Sequence, residues 1–458
     1  MSKNVQRAKF GSKIGVVLAT VGCAVGLGNI WRFPYMLGSN GGAAFLLVYI
    51  LCILFLGIPV MITEFSIGRH THKNAAGAFK EMAPGTLWPL LGYNGVLAAF
   101  LILGFYSVVS GWTLEYIVQA FTGSLQGKSV TDFATEFEQF STNPYRPIFW
   151  TLLFIAMTHI IIICGVEKGI ERASKVMMPL LFFILIVLGI RSVTLDGALD
   201  GLKFLFKPDF SKINSSVVLS AMGQAFFSLS IGMGCLITYA SYFNKETNLQ
   251  KTALQVTVLD TFVAVMAGVM IFPAAFSFGI TPTAGPELVF ITLPNVFGHM
   301  PVGWLWSFIF FVLLALAALT STISLHEVAT AYVHEELHFS RKKAAWLVSA
   351  GVTVLAILSS LSIGVLREYT IFGLNFFDAL DFLTAKIMMP FGGMLVCIFI
   401  SQRVERSVWV DEITNHGTIR FYFLRTYLFF VKYLAPIAIG LIFLNELGLI
   451  ELLGKVFK

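Results

Sequence analysis

Charge is what this sequence has least of. Only 12% of its 458 residues are Asp, Glu, Lys or Arg, while 57% are hydrophobic; an ordinary soluble domain is about a quarter charged. Mean hydropathy is +0.82. So few charges cannot cover a water-facing surface, which excludes a soluble globular protein. The five cysteines, Cys23, Cys52, Cys164, Cys235 and Cys397, all fall in apolar segments and lack paired spacing. That excludes a cysteine metal cluster or an extramembrane disulfide framework, and they read as small buried packing residues. The net charge of +6 sits in loops, where it marks orientation rather than a nucleic-acid partner. The basic start, Lys3, Arg7, Lys9 and Lys13, leads into an apolar stretch too long and too rich in glycine for a cleavable leader.

What is present is apolar sequence in runs of about 20 residues, enough to cross a hydrocarbon core of about 30 Å as helix. Spans are expected at 12–37, 43–68, 88–122, 147–165, 170–191, 216–241, 250–279, 301–335, 343–365, 373–401 and 421–447. The chain is thus an all-α, multi-pass protein of a cell membrane with the lipid bilayer as its surroundings. Lys and Arg gather at Arg69–Lys80, Lys168–Lys175, Lys245–Lys251, Arg341–Lys343 and Arg403–Arg420, whereas 280–300 has none. Basic residues favour the inside, so the N-terminus is expected in the cytoplasm and, after eleven spans, the C-terminus outside.

Two spans carry paired glycines at mid-membrane: Val25-Gly26-Leu27-Gly28 in the first and Ile231-Gly232-Met233-Gly234 in the sixth. Either pair alone suits close helix packing. Together, at corresponding places in two halves, they point to an inverted repeat whose broken helices meet at a binding site.

The residues then become specific. Cys23-Ala24-Val25-Gly26-Leu27-Gly28-Asn29-Ile30-Trp31-Arg32-Phe33-Pro34-Tyr35 with Asn40-Gly41-Gly42 resembles the first-helix signature of the neurotransmitter:sodium symporters. Gln224 to Gly232 with Thr238 to Tyr242, Leu319-Thr320-Ser321-Thr322, and Asp378 to Phe382 extend the resemblance over nearly the whole chain. The general rule linking paired helix breaks to a midplane binding site was itself drawn in part from transporters of this type. The resemblance implies a LeuT-type fold in a bacterial, eleven-helix form: a single transporter domain over 1–458, with 12–191 and 216–401 as inverted repeats of five helices and 421–447 as an additional helix. The implied function is sodium-coupled amino-acid symport into the cell, with two sodium ions and no organic cofactor.

The resemblance also implies residue roles. One sodium site would use the Ala24 carbonyl, Asn29, Ser228 and the Asp260 carboxylate. The other would use carbonyls of Gly22, Val25 and Ala317 with the hydroxyls of Thr320 and Ser321, although a Thr-Ser pair alone equally suits helix back-bonding. Asp260 stands where an asparagine is common in the family, and a carboxylate inside a span marks function. It would supply the charge that chloride provides in chloride-dependent relatives, so transport is expected without chloride. The substrate carboxylate would meet Leu27, Gly28 and the Tyr106 hydroxyl, and the amine would meet Ala24, Phe227, Ser228 and Ser230. Ile102, Phe227, Met233, Ser321, Ser324 and Leu325 would surround the side chain. Amine-carrying relatives have an aspartate where this chain has Gly26, so amino acids are favoured over amines; the apolar lining favours tyrosine, tryptophan and leucine.

Gates follow the same resemblance: Arg32 with Asp381 outside and Phe227 as lid; Arg7 and Glu335 with Ser241 and Tyr242 inside. Gly169 and Pro179 frame a fifth-span stretch, 170–178, suited to local unwinding because proline removes a helix hydrogen bond. Two rival functions stay open on sequence. His334-Glu335-Glu336-Leu337-His338 satisfies H-E-x-x-H, the pattern of a zinc metalloprotease helix, and the same scaffold could serve as a non-transporting amino-acid sensor. Asn214-Ser215-Ser216 is a lone glycosylation pattern given little weight.

Overall fold

A computed structural model describes residues 8–279 and 288–449. Among these the chain is helical throughout its ordered elements, with a lone bridge between Ile371 and Leu374. The helices are α1 (Lys13–Ala24), α2 (Gly28–Ser39), α3 (Ala43–Thr71), α4 (Ala75–Met82), α5 (Pro89–Phe121), α6 (Val130–Ser141), α7 (Arg146–Ile163), α8 (Val166–Val193) and α9 (Ala198–Phe206). After these come α10 (Ser215–Ser228), α11 (Cys235–Ala240), α12 (Leu249–Ser277), α13 (Val289–Gly298), α14 (Gly303–Glu335), α15 (Arg341–Ile363), α16 (Phe376–Arg403), α17 (Arg406–Ile413) and α18 (Leu424–Glu446).

Among the described residues nine helices are long and apolar enough to cross a membrane unbroken, and the bent pair α1–α2 makes ten. α10 and α11, each too short to cross alone, lie where the sixth span is expected. Every expected span is present, and the breaks fall in the first and sixth, as the LeuT-type fold requires. Lipid-facing helices are identified by their burial: about a third of α18 and 39% of α7 and α15 lie inside the protein, against 78% of α5 and α14. The heavily buried pair forms the central wall, and α14 packs along α5.

Two expectations need correction. The stretch 280–300 is more than a loop: the part after 288 folds into α13, whose Phe290 is fully buried and stacks on Phe137 of α6 at 5.7 Å between ring centres. Phe290 also packs against Trp112 and Tyr116 of α5, so apolar contact seats this segment over one end of the bundle. Cys164 is exposed, at the end of α7, rather than buried. The stretch 170–178 begins in an irregular, π-helical turn at Val166–Glu171 and continues as regular helix through Pro179.

Candidate functional site

Both helix breaks are built by backbone that leaves the helical region. After Ala24, Val25 turns to φ −73°, ψ 119°, and α2 resumes at 53° to α1. In the sixth crossing Ser230, Gly232 and Gly234 have φ of 56°, 84° and 73°. Glycine tolerates that region at little cost. At Gly232 space demands it as well, since a Cβ would come 2.3 Å from the Met389 carbonyl oxygen. Its freed N–H donates to Glu64 Oε1 at 2.8 Å, so a buried carboxylate of α3 satisfies the unwound backbone. Glu64 carries no expectation from sequence, although it shares with Asp260 the signal of an acidic residue inside an apolar run.

The two breaks face one cavity. Its walls are Cys23, Ala24, Gly26, Gly28, Ile102, Phe105, Tyr106, Phe227, Ser228, Ser230, Met233, Cys235, Ser321, Ser324 and Leu325. Every expected substrate contact lines it except Leu27, which is buried and donates its backbone N–H to Tyr106 Oη at 2.9 Å. Cys23, Phe105 and Cys235 join the walls without any sequence signal that singles them out. Ser230 Oγ donates to the Cys23 carbonyl at 3.0 Å, tying one break to the other. A side chain on Gly26 would start 2.2 Å from Ser321 Oγ and 3.0 Å from Tyr106 Oη. In this arrangement an aspartate there would have no room.

On one flank Asn29 Nδ2 donates to Asp260 Oδ1 at 2.7 Å and to Ser228 Oγ at 3.1 Å, and Ser228 Oγ donates to Asp260 Oδ2 at 2.8 Å. Gly26 N–H donates to Asn29 Oδ1 at 3.0 Å. Asn29 and Asp260 are both fully buried, so a carboxylate is held at mid-membrane by two crossings besides its own.

On the other flank Thr320 Oγ1 donates to the carbonyls of Val25 at 3.2 Å and Ala317 at 2.9 Å, and Ser321 Oγ donates to Val25 at 3.3 Å. Gly22 lies against Thr320, its absent Cβ 3.3 Å from Thr320 Cβ. Thus the end of α1 and α14 bring together the carbonyls of Val25 and Ala317 with the hydroxyls of Thr320 and Ser321, four of the five groups expected of the second set. Hard cations take such oxygen donors, and an unwound helix offers carbonyls otherwise without partners.

Beyond Phe227, the Arg32 guanidinium stacks on the Phe227 ring at 4.2 Å from its centre. Arg32 and Asp381, the expected outer pair, form no ion pair within 4.0 Å between nitrogen and oxygen. The opposite end is denser. Phe10 is buried against Tyr239, Tyr242 and Phe243. Glu171 accepts from Gly11 N–H at 2.6 Å and Ser12 Oγ at 2.8 Å, and pairs with Lys175 at 2.6 Å. Tyr242 Oη donates to Glu327 at 2.6 Å, and Arg341 pairs with the same fully buried carboxylate at 2.6 Å. Glu335 accepts from Asn74 N–H at 3.0 Å and Nδ2 at 2.9 Å, and Ser241 Oγ donates to the Thr238 carbonyl. Arg7 lies outside the described residues. On sequence Arg341 reads only as an orientation charge, and Glu171 and Glu327 carry no expectation.

The metalloprotease pattern does not assemble. α14 ends at Glu335, and His338 lies beyond it at φ 59°, so the two histidines are not one helical turn apart. His334 Nδ1 is bonded to the Phe339 carbonyl at 2.6 Å. Among the described residues no three His, Cys, Asp or Glu side chains gather as a metal site.

A model of the sodium:neurotransmitter symporter family matches residues 7–143 and 143–452. The chain belongs to that family. It is a multi-pass, sodium-dependent secondary transporter and not an enzyme. An uncharacterized sodium-dependent transporter of Bacillus subtilis, YhdH, is 41% identical over 97% of this chain and 98% of its own length. The human sodium- and chloride-dependent GABA transporter 2 is 28% identical over 91% of this chain and 74% of its own. Among solved structures, MhsT in complex with L-phenylalanine superposes with a TM-score of 0.89 and 46% identity, covering 96% of this chain and all of that one.

Proposed function

We infer that this symporter carries hydrophobic or aromatic amino acids into the cell with two sodium ions and without chloride. What supports this most is the convergence of both helix breaks on one cavity with oxygen donors on two flanks. The substrate carboxylate would be met by the Tyr106 hydroxyl and by the backbone at Leu27 and Gly28 where α2 begins, an end whose helix dipole favours an anion. Its amine would be met by carbonyls at the breaks near Ala24, Phe227 and Ser228 and by Ser230. Ile102, Phe105, Met233, Ser324 and Leu325 leave an apolar space for the side chain, and flexible methionine adapts to rings of different shape. MhsT, with its bound L-phenylalanine, is consistent with that cargo.

Asn29, Ser228, Asp260 and the Ala24 carbonyl form the first sodium site in this reading. Carbonyls of Gly22, Val25 and Ala317 with Thr320 and Ser321 form the second. Asp260 gives the first site a fixed negative charge, which removes the need for a separate anion. Residues 12–191 and 216–401 act as the two repeats, rocking about the cavity. Arg32, Asp381 and Phe227 close the outer side; Glu335, Tyr242 and Arg7 close the cytoplasmic side, joined by Glu171, Glu327 and Arg341. With the N-terminus in the cytoplasm, eleven crossings leave the C-terminus outside.

Equilibrium binding to purified protein tests the cargo. Labelled phenylalanine should bind in sodium and not in potassium, and tyrosine, tryptophan and leucine should displace it. Displacement by glycine or glutamate alone would overturn the proposed pocket. Sodium-dependent binding with no uptake by vesicles would favour a sensor.

A further inference from the structure

A groove of about 390 Å³ opens where α16 ends, α17 lies and α18 begins, and it shares no residue with the transport cavity. Its size is that of ligand clefts, roughly 300–1,000 Å³. Three cations line it, Arg406 from α17 with Arg425 and Lys432 from α18, and no Asp or Glu does. Arg425 and Lys432 stand two helical turns apart and so share a face of α18. Among the described residues none of the three has a carboxylate within 4.0 Å. Of the acids on α17 and its cap, Glu412 pairs with Arg69 and His70, Glu405 accepts from Ser407 at 3.4 Å, and Asp411 stays outside the lining.

The rest of the wall is largely apolar. Trp409 is buried and donates its ring N–H to the Tyr427 hydroxyl at 3.0 Å, and Phe429 and Tyr433 join it. From there an exposed stripe continues along α18 at four-residue spacing: Phe429, Tyr433, Ile437 and Leu441. α18 is the least buried of the spans, so this stripe meets lipid. Lys432 therefore places a charge more than two turns inside a lipid-facing span, a costly position unless an anion meets it.

We propose that this groove binds an anionic phospholipid, with its phosphate among Arg406, Arg425 and Lys432 and an acyl chain along Phe429, Tyr433, Ile437 and Leu441. Guanidinium groups meet phosphate oxygens with paired N–H donors, and lysine adds a point charge. A free phosphate would use the cations and leave the apolar stripe without a role. An acidic peptide would have to lie against a face that borders hydrocarbon. A phospholipid carries charge and chain in the order the groove presents them, the pattern of basic pockets between spans that hold lipid headgroups. Charges that only set orientation need neither a groove nor a lysine inside a span.

Phosphatidylglycerol is the probe, with phosphatidylcholine of the same chains for comparison. Purified full-length protein in neutral detergent is titrated with each, and bound lipid per chain is counted by native mass spectrometry. Wild type should hold one phosphatidylglycerol per chain at concentrations at least tenfold below those phosphatidylcholine requires. Each cation near an anionic headgroup contributes about fivefold, so Arg406→Gln, Arg425→Gln and Lys432→Gln combined should weaken retention about 100-fold while keeping the wild-type thermal melt. Lys342→Gln with Lys343→Gln removes two cations outside the groove and should leave retention unchanged. Equal retention of the two lipids, an unaffected triple variant or displacement by inorganic phosphate would overturn the site. So would a dimer that the triple variant dissolves, because the occupant would then be a second copy of the chain. A phosphatidylglycerol with a photoreactive acyl chain gives a result on wild type that does not depend on variants folding: crosslinks within 429–441 support the site, and crosslinks confined elsewhere contradict it. The count uses neither sodium nor amino acid, so its outcome is separate from that of the transport reading.

Discussion

The two oxygen-rich flanks of the cavity differ in kind. Asn29 and Ser228 surround a full carboxylate, Asp260. Thr320 and Ser321 are accompanied by main-chain carbonyls, those of Val25 and Ala317. A cation on the first flank meets a charge in a low-dielectric interior, and one on the second meets dipoles. Charge–charge attraction exceeds charge–dipole attraction at the same distance, so in the proposed reading the first flank would hold its cation the more tightly and the second would release it first.

Asp260→Ala should have the largest effect. Removing one member of a buried charged arrangement costs about 3–5 kcal/mol, so sodium-dependent substrate binding should weaken by about 100-fold or more. Sodium titration of binding checks this, and an unchanged sodium dependence would break the comparison of the flanks. Asp260→Asn keeps the shape and loses the charge; its activity should become dependent on added chloride, read by uptake in chloride against gluconate.

Thr320→Ala with Ser321→Ala should act more mildly. Each neutral oxygen partner contributes about 1 kcal/mol, so with two removed the apparent sodium affinity should fall about 30-fold in a binding titration. A loss as large as that of Asp260→Ala would erase the distinction. Gly26→Ala places a methyl against Ser321 Oγ and should weaken amino-acid binding about tenfold by displacing that hydroxyl, with no gain of amine binding.

Glu171→Gln should show the smallest effect and the most informative direction. It weakens charge-assisted bonds that hold Gly11 and Ser12, so labelling of a cysteine placed at Val17 from the cytoplasmic side should rise about threefold to tenfold. Unchanged labelling would mean that α1 is held by packing of Phe10 alone.

What could be read in advance depended on how local the cause was. Gly26 and Gly28 with Gly232 and Gly234 announce helix breaks as two corresponding pairs, and Asp260 announces function by being acidic inside an apolar run. The same signal was available at Glu64 and Glu327, yet their roles depend on partners across the fold, Gly232 and Arg341. Glu171 is harder still, because its partners Gly11 and Ser12 lie 160 and 159 positions away. The cysteines were legible from their apolar surroundings: Cys23, Cys52, Cys235 and Cys397 are buried, and only Cys164, at the end of α7, is exposed. The H-E-x-x-H pattern failed because α14 stops within it.

Uptake of labelled phenylalanine by proteoliposomes under an inward sodium gradient, with and without chloride, tests the central claim most directly. Accumulation should be equal in chloride and gluconate, absent when potassium replaces sodium, and lost in Asp260→Ala. Uptake that ignores sodium, stops in gluconate or survives the loss of Asp260 would contradict a cavity powered by a carboxylate-anchored sodium ion.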